Sequence, residues 1–258
     1  MKLTKFLFLP IWLLTVASSA SAQIYANGGP ATLSDLNPGI AVVELFTSEG
    51  CSSCPAADRL LEAIFEDARN KGLRIFPLSY HVDYWDHLGW KDPYGDKAFS
   101  NRQRAYAMHF RDHRVYTPQM VVNGQEGFVG SDRGQATTKI RQAIQNPAQV
   151  EVELTAEASD ESVEVQFQLS EPKPGKLMMV AIVEDGIEHT VTKGENSGRK
   201  LKHVHVVRAL EAYPLGDQTT GSVHIPWRED KQGPLAVIAF IQDGESFEMY
   251  GAATTTWE

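Results

Sequence analysis

The chain's two cysteines, Cys51 and Cys54, stand three positions apart in "ELFTSEGCSSCPAADRLLEAIF". Thiols at that spacing suit three kinds of chemistry. As a reversible pair they perform dithiol exchange, in which one thiolate attacks and its neighbour resolves the intermediate. As a permanent bond they are a staple, and a poor one: a loop of roughly four residues is worth about 2 kcal/mol, against about 4.7 for a hundred. As metal ligands they are half of a zinc or copper site that histidines or acids must complete, because a second cysteine pair is missing. Further chemistry-bearing side chains crowd "SYHVDYWDHLGWKDPYGD", with His81, Asp83, Tyr84, Trp85, Asp86, His87 and Trp90. Thr117-Pro118 and the His203/His205 pair follow later.

Those residues need elements to hold them. "IAVVELF" is a nearly continuous apolar run, as in a strand covered on both faces. Pro55 suits a first helical turn, and Leu60, Leu61, Ile64, Phe65 and Ala68 recur at helical spacing until Gly72. "LRIFPLSY" reads as a second buried strand. Strand, helix and strand imply a right-handed crossover and a parallel pair whose ends share one sheet edge. Cys51 then sits at the turn into the helix, where unpaired N–H groups and the helix dipole stabilise a thiolate. The loop after the second strand overhangs the pair, its aromatics offering a rim for a substrate segment and its histidines tuning the thiolate or binding metal. The helical run "DKAFSNRQRAYAMHF" packs over the site as an insertion, with Arg102, Arg104 and Arg111 as a basic patch. "QMVVNG" and "GFVG" flank a hairpin turn at Asn123-Gly124, and a helix follows from about Ser131 to Gln145.

Past residue 148 the pattern is all strand, with turns at Asp185-Gly186 and Asp243-Gly244, suggesting a β-sandwich. His203 and His205 are expected on one face there, and "GENSGRK" reads as a polar loop. The boundary falls at about Asn146 to Gln149.

Residues 1–22 carry Lys2 and Lys5, an apolar core and small residues at Ala20 and Ala22, the pattern of a secretory signal cleaved before Gln23. The expected organisation is a signal peptide at 1–22, a linker at 23–37, an α/β domain at 38–147 with a helical insertion at about 84–114, and a β-domain at 148–258. Cleavage leaves 22 basic against 33 acidic residues, about −11. That balance speaks against nucleic acid and anionic membranes as partners. No stretch is long enough for a membrane span. The protein is therefore expected in the periplasm or secreted, where disulfides persist.

The order of a CxxC at a helix start, a parallel strand, Thr-Pro, hairpin and final helix resembles the thioredoxin-like superfamily over about residues 38 to 146. Within it, "VELFTSEGCSSCPAAD", "YHVDYWDHLGWKDPY", "RQRAYA", "YTPQMVVNG" and "KGENSGRKLKHVHVVRAL" resemble the secreted bacterial family called domain of unknown function 1223. The resemblance implies a thioredoxin-like domain followed by a sandwich-like one. It also implies that Cys51 attacks, that Cys54 is the buried resolving cysteine, and that Thr117-Pro118 is the cis-proline segment that pairs with substrate. Ser52-Ser53 replaces the superfamily's Gly-Pro, and Gly50 replaces its tryptophan. Glu44, in the first strand, stands about where thioredoxins keep a buried acid. It is expected either to relay a proton to Cys54 or to pair with a cation. Glu49 is expected to be a surface acid.

The leading expectation is a thiol-disulfide oxidoreductase with Cys51, Cys54 and Glu44 catalytic, and Thr117, Pro118, Trp85, His81 and Asp83 contacting substrate. It needs no dissociable cofactor, and its partners are protein or small-molecule thiols and disulfides and a redox partner. One alternative is a copper-handling protein using the cysteines with His81 or His87. Another is a binding module in which the dithiol is only a switch.

Overall fold

Alternation along the first strand organises the molecule. In a computed structural model that describes residues 39–111, 113–227 and 233–257, Ala41–Thr47 form β1, buried at every position. The signal-peptide and linker expectations lie outside the described residues. Ala41, Val43 and Leu45 point to one face, where they pack with Ala57, Leu60 and Leu61 of helix α1 (Cys54–Lys71). Val42 and Phe46 point to the other face, where Phe99 and Tyr106 of helix α2 (Lys97–His109) cover them. A strand covered twice is apolar throughout, as this one is apart from Glu44 and Thr47. Helix α1 has Pro55 in its first turn and ends at Gly72, whose φ of 62° is the left-handed cap conformation.

Strand β2 (Ile75–His81) pairs with β1 in parallel, Thr47 opposite His81, so both strands deliver their last residues to one edge. A 3-10 helix (Asp83–Leu88) and α2 follow. Strands β3 (Gln119–Val122) and β4 (Gly127–Val129) form the expected hairpin, with Asn123 and Gly124 at positive φ, and helix α3 spans Arg133–Gln145.

The second half supplies β5 (Val152–Ala158), β6 (Ser162–Leu169), β7 (Leu177–Glu184), β8 (Ile187–Thr190), β9 (Lys200–His203), β10 (Val206–Pro214), β11 (Thr220–Pro226), β12 (Leu235–Gln242) and β13 (Met249–Thr255). One eight-stranded sheet, ordered β13-β12-β7-β10-β2-β1-β3-β4, runs through the boundary expected at Asn146 to Gln149. The join is β10 lying parallel to β2, Val206 opposite Ser79. A three-stranded sheet, β11-β6-β5, packs Val163, Val165 and Phe167 against Met178, Val180 and Ile182 of β7. Paired strands keep side chains on matching faces, so this layer and α1 share one face of the large sheet. All described residues fall in one compact unit, a mixed α/β fold around a large sheet.

His203 and His205 do not share a face. Strand β9 ends at His203, His205 turns the chain at φ 46°, and β10 starts at Val206. The His205 ring sits against Phe65 and Nδ1 meets the Pro77 carbonyl at 3.0 Å. Nor do the three arginines form a patch: Arg102 is buried, its Nε 2.6 Å from Glu44 Oε1.

Candidate functional site: a disulfide over buried acids and histidines

Cys51 and Cys54 are bridged, with Cα atoms 5.4 Å apart, and both are wholly buried on either side of the exposed Ser52 and Ser53. A turn closed by Cys51 N–H to the Ser48 carbonyl leads into α1, and Ser53 Oγ lies 3.3 Å from Cys51 Sγ. Gly50 fits a close approach, since a Cβ there would lie a tight 3.2 Å from the Trp85 Cβ. Trp85 in turn donates from Nε1 to Thr117 Oγ1 at 2.7 Å, joining the cysteine loop to the Thr117–Pro118 segment, whose peptide is cis. Gly130 leaves room for Pro118, Leu45 and Ala57, so Pro118 lies beside the first turn of α1. Cys51, Cys54, Trp85, Thr117 and Pro118 thus gather at one end of the sheet.

Glu44 does not join them. As an even-numbered member of β1 it points away from α1, to the α2 face, where it pairs with Arg102 and accepts from the Tyr106 hydroxyl. Gln242 holds the same network through Arg102 and Tyr106. The cation pairing is the reading that applies. Asp83 accepts from Ser100 Oγ at 2.5 Å, tying the 3-10 helix to α2. His81 is fully buried beneath the site and cannot line a substrate rim. His87 is exposed, with Nδ1 2.8 Å from the Tyr84 carbonyl.

The acid beneath the cysteines is Asp58 of α1 itself, one helical turn beyond Cys54. Thr47, on the same β1 face as Leu45, donates to Asp58 Oδ1 at 2.8 Å. Burial pushes the Asp58 carboxyl up, with His203 and His81 only partly offsetting it. His81 Nδ1 lies 2.8 Å from Asp92 Oδ2, both buried. Burial alone would raise Asp92, but the His81 charge and hydrogen bond, with the N–H groups of Glu49 and Tyr94, bring it down to about 2. Asp92 reciprocally raises His81 against the effect of burial.

Glu49 is not a surface acid. It is fully buried, accepts from Trp90 Nε1 at 2.9 Å, lies 2.9 Å from His189 Nδ1 and sits 3.4 Å from His203 Nε2. These contacts outweigh burial and hold its carboxyl below the ordinary range. The polar loop between β8 and β9 docks directly on the cysteines. Buried Asn196 donates from Nδ2 to the carbonyls of Glu49 and Cys51, at 2.8 and 2.9 Å, while Glu195 Oε2 accepts from Ser52 N–H at 3.0 Å. Asp58, Asp92, His189, Glu195 and Asn196 were not singled out by the sequence reading. Only Asp58 had a visible signal, four positions after Cys54 on a helix.

The sequence profile of the family described as "Protein of unknown function (DUF1223)" matches residues 42–242, most of the chain. The chain belongs to the DUF1223 family. Among solved structures it is similar to protein AGR_C_4864 from Agrobacterium tumefaciens, with 29% identity, a TM-score of 0.63, and coverage of 85% of this chain and 98% of that one. It also shares its fold with HBP35 of Porphyromonas gingivalis, at 14% identity and a TM-score of 0.59, over 85% of this chain and 75% of that one. No curated protein matches the sequence.

Among the described residues no helix is long and apolar enough to cross a membrane. Nor, among them, do three or more His, Cys, Asp or Glu side chains converge at metal-holding spacing.

Proposed function

We propose that this DUF1223 member is an exported thiol-disulfide oxidoreductase with a thioredoxin-like first half and a sandwich-like second half, acting through Cys51 and Cys54. The observation that carries the reading is the position of the disulfide: it spans the start of α1, directly above buried Asp58 and the Asp92–His81 and Glu49–His189 pairs. A staple of that loop length contributes little and needs none of these groups. Dithiol exchange uses all of it, since helix N–H groups favour the Cys51 thiolate and a buried acid of raised pKa can exchange a proton with Cys54. Asp58 takes the part that the sequence reading offered to Glu44. The copper alternative has less support, because both sulfurs are in the disulfide and the nearby histidines face carboxylates.

In the reductive direction Cys51 attacks a substrate disulfide and Cys54 resolves the mixed intermediate; in the oxidative direction a substrate thiolate opens the Cys51–Cys54 bond. The test is exchange with oxidised glutathione and a disulfide-bonded protein. Cys51→Ser is expected to abolish turnover and Cys54→Ser to accumulate mixed disulfides. Equal turnover in both variants refutes the assignment. Export is checked by N-terminal sequencing of the mature protein, expected to begin at Gln23.

A further inference from the structure

The second half of the chain places a histidine between two buried acids under the disulfide. His203, 1% exposed, has Nδ1 3.8 Å from Asp58 Oδ2 and Nε2 3.4 Å from Glu49 Oε1. Neither ring nitrogen makes a hydrogen bond, and His81 Nε2 is likewise buried and unbonded. Leaving such atoms buried and unbonded is costly. A structural histidine would be expected to sit within bonding distance of one acid. This one lies between the two acids, at 3.4 Å from Glu49 and 3.8 Å from Asp58, without a well-aligned bond to either. On the far side of Glu49, His189 closes at 2.9 Å and is 30% exposed at its side chain. At the near end, Asp58 and Cys54 are neighbours on α1 by their i, i+4 spacing.

We propose that Asp58, His203, Glu49 and His189 form a proton relay between the buried Cys54 and solvent. The relay rests on the redox function proposed above. In the reductive direction the Cys51 thiolate attacks one sulfur of the substrate disulfide, whose S–S bond breaks and releases a first substrate thiolate. The Cys54 thiol gives its proton to the Asp58 carboxylate. The Cys54 sulfur then attacks Cys51 Sγ, forming the Cys51–Cys54 bond, breaking the bond from Cys51 to substrate and releasing the second thiolate. Two electrons pass from the dithiol to the substrate. The proton moves from Asp58 to His203 Nδ1, leaves from Nε2 to Glu49, and passes through His189 to water or a departing thiolate. The oxidative direction runs the same route backwards. The groups facing the relay are Thr47 from β1, His81 from β2, Trp90, Asp92 and Tyr94 from the segment between the 3-10 helix and α2, and Arg208 of β10 stacked on Tyr94. His81 is held by Asp92 and flanks His203 edge-on at 4.7 Å between ring centroids. Asp92 raises the His81 pKa against burial, which favours a positive charge beside the route and the ionised form of the acids that accept protons.

The relay predicts that the two halves of the reaction separate. Reduced protein is mixed with an aromatic nitrobenzoate disulfide that releases one coloured thiolate on attack and a second on resolution. His203→Gln is expected to leave the attack phase within about twofold and to slow the resolution phase at least tenfold near pH 7, within the range of lost acid-base help. The defect is expected to shrink toward pH 9, where hydroxide takes the Cys54 proton directly. His189→Gln, at the half-exposed end, is expected to show the same selective effect and decides the matter if His203→Gln does not fold. Unchanged resolution in both variants overturns the relay and implies proton exit through the roughly 190 Å³ cleft that Asp58 borders with Arg59 and Lys200. Equal slowing of both phases overturns it in favour of a packing role. A wild-type protein that releases neither thiolate overturns the redox function itself.

Discussion

Replacing Asp92 with asparagine should weaken the fold and change how its stability depends on pH. Asp92 Oδ2 accepts from both His81 Nδ1 and Glu49 N–H at 2.8 Å, while Oδ1 accepts from Tyr94 N–H at 3.0 Å. An asparagine has one acceptor oxygen, so at least one of these donors is left buried without a partner, at about 1–3 kcal/mol. The fall of the Asp92 pKa from 3.8 to about 2 corresponds to about 2 kcal/mol and arises from these same hydrogen bonds and the His81 charge, so it restates that contribution and does not add to it. A carboxyl whose pKa is lowered by folding stabilises above its unfolded value, near 3.8, and loses that contribution as pH falls through about 2. His81, raised by folding, stabilises below 6.5 and loses its contribution as pH rises through its folded value. Both are fully present between about pH 4 and 6.5. Urea unfolding of the oxidised protein at pH 5.5 is expected to show Asp92→Asn destabilised by about 1–3 kcal/mol. The wild type is expected to weaken on either side of that window more steeply than the variant. A loss below about 1 kcal/mol, with parallel pH profiles, would refute the account of this pair as a charged, hydrogen-bonded brace.

Asn196→Ala removes both bonds to the cysteine-loop carbonyls and is expected to speed reduction of the disulfide by dithiothreitol several-fold, read by thiol alkylation; an unchanged rate shows that the loop does not guard Cys51. Glu195→Gln removes a negative charge beside the start of α1 and should lower the Cys51 thiol pKa, measured by thiolate absorbance in the reduced protein. Arg102→Leu strands the Glu44 carboxylate and is expected to cost about 3–5 kcal/mol, with part recovered in the double variant that adds Glu44→Gln. Trp85→Ala should slow exchange with protein substrates more than with glutathione, because it removes the indole that holds Thr117 beside the cysteine loop.

Much of the framework around the cysteines was legible because it depends on local pattern. The apolar runs of β1 and β2, the Pro55 start and Gly72 stop of α1, and the Asn123-Gly124 turn each encode their element directly. The facing of β1 was also legible and was misapplied. Ala41, Val43 and Leu45 meet α1, so period-two alternation sends Glu44 to the opposite face and Thr47 toward Asp58. Glu49 misled because a charged residue in a Ser- and Gly-rich turn normally faces water. Its partners, His189, His203 and Trp90, lie 41 to 154 positions away in sequence. Non-local pairing of this kind leaves no periodic trace in a single sequence. The same holds for the parallel register of β10 on β2, which decides that the later strands extend the first sheet.

That register gives the second half a chemical role. With Val206 fixed beside Ser79, the end of β9 falls next to the end of β2, and His203 comes within 4.7 Å of His81 between ring centroids. The hairpin of β8 and β9 then carries its loop across the start of α1, where Asn196 and Glu195 take the backbone groups of the cysteine loop. A sheet broken at residue 148 would leave Glu49 and Asp58 facing water, with carboxyls of ordinary pKa and Cys51 uncovered. The continuous sheet instead buries both acids, pushes one pKa up and the other down, and covers the sulfur it exposes on opening. Acids driven apart in this way take different parts in the proposed proton transfer: the raised proton affinity of Asp58 suits it to accept from the Cys54 thiol, and the lowered affinity of Glu49 suits it to pass the proton on. The proposed dithiol exchange should therefore require the whole chain.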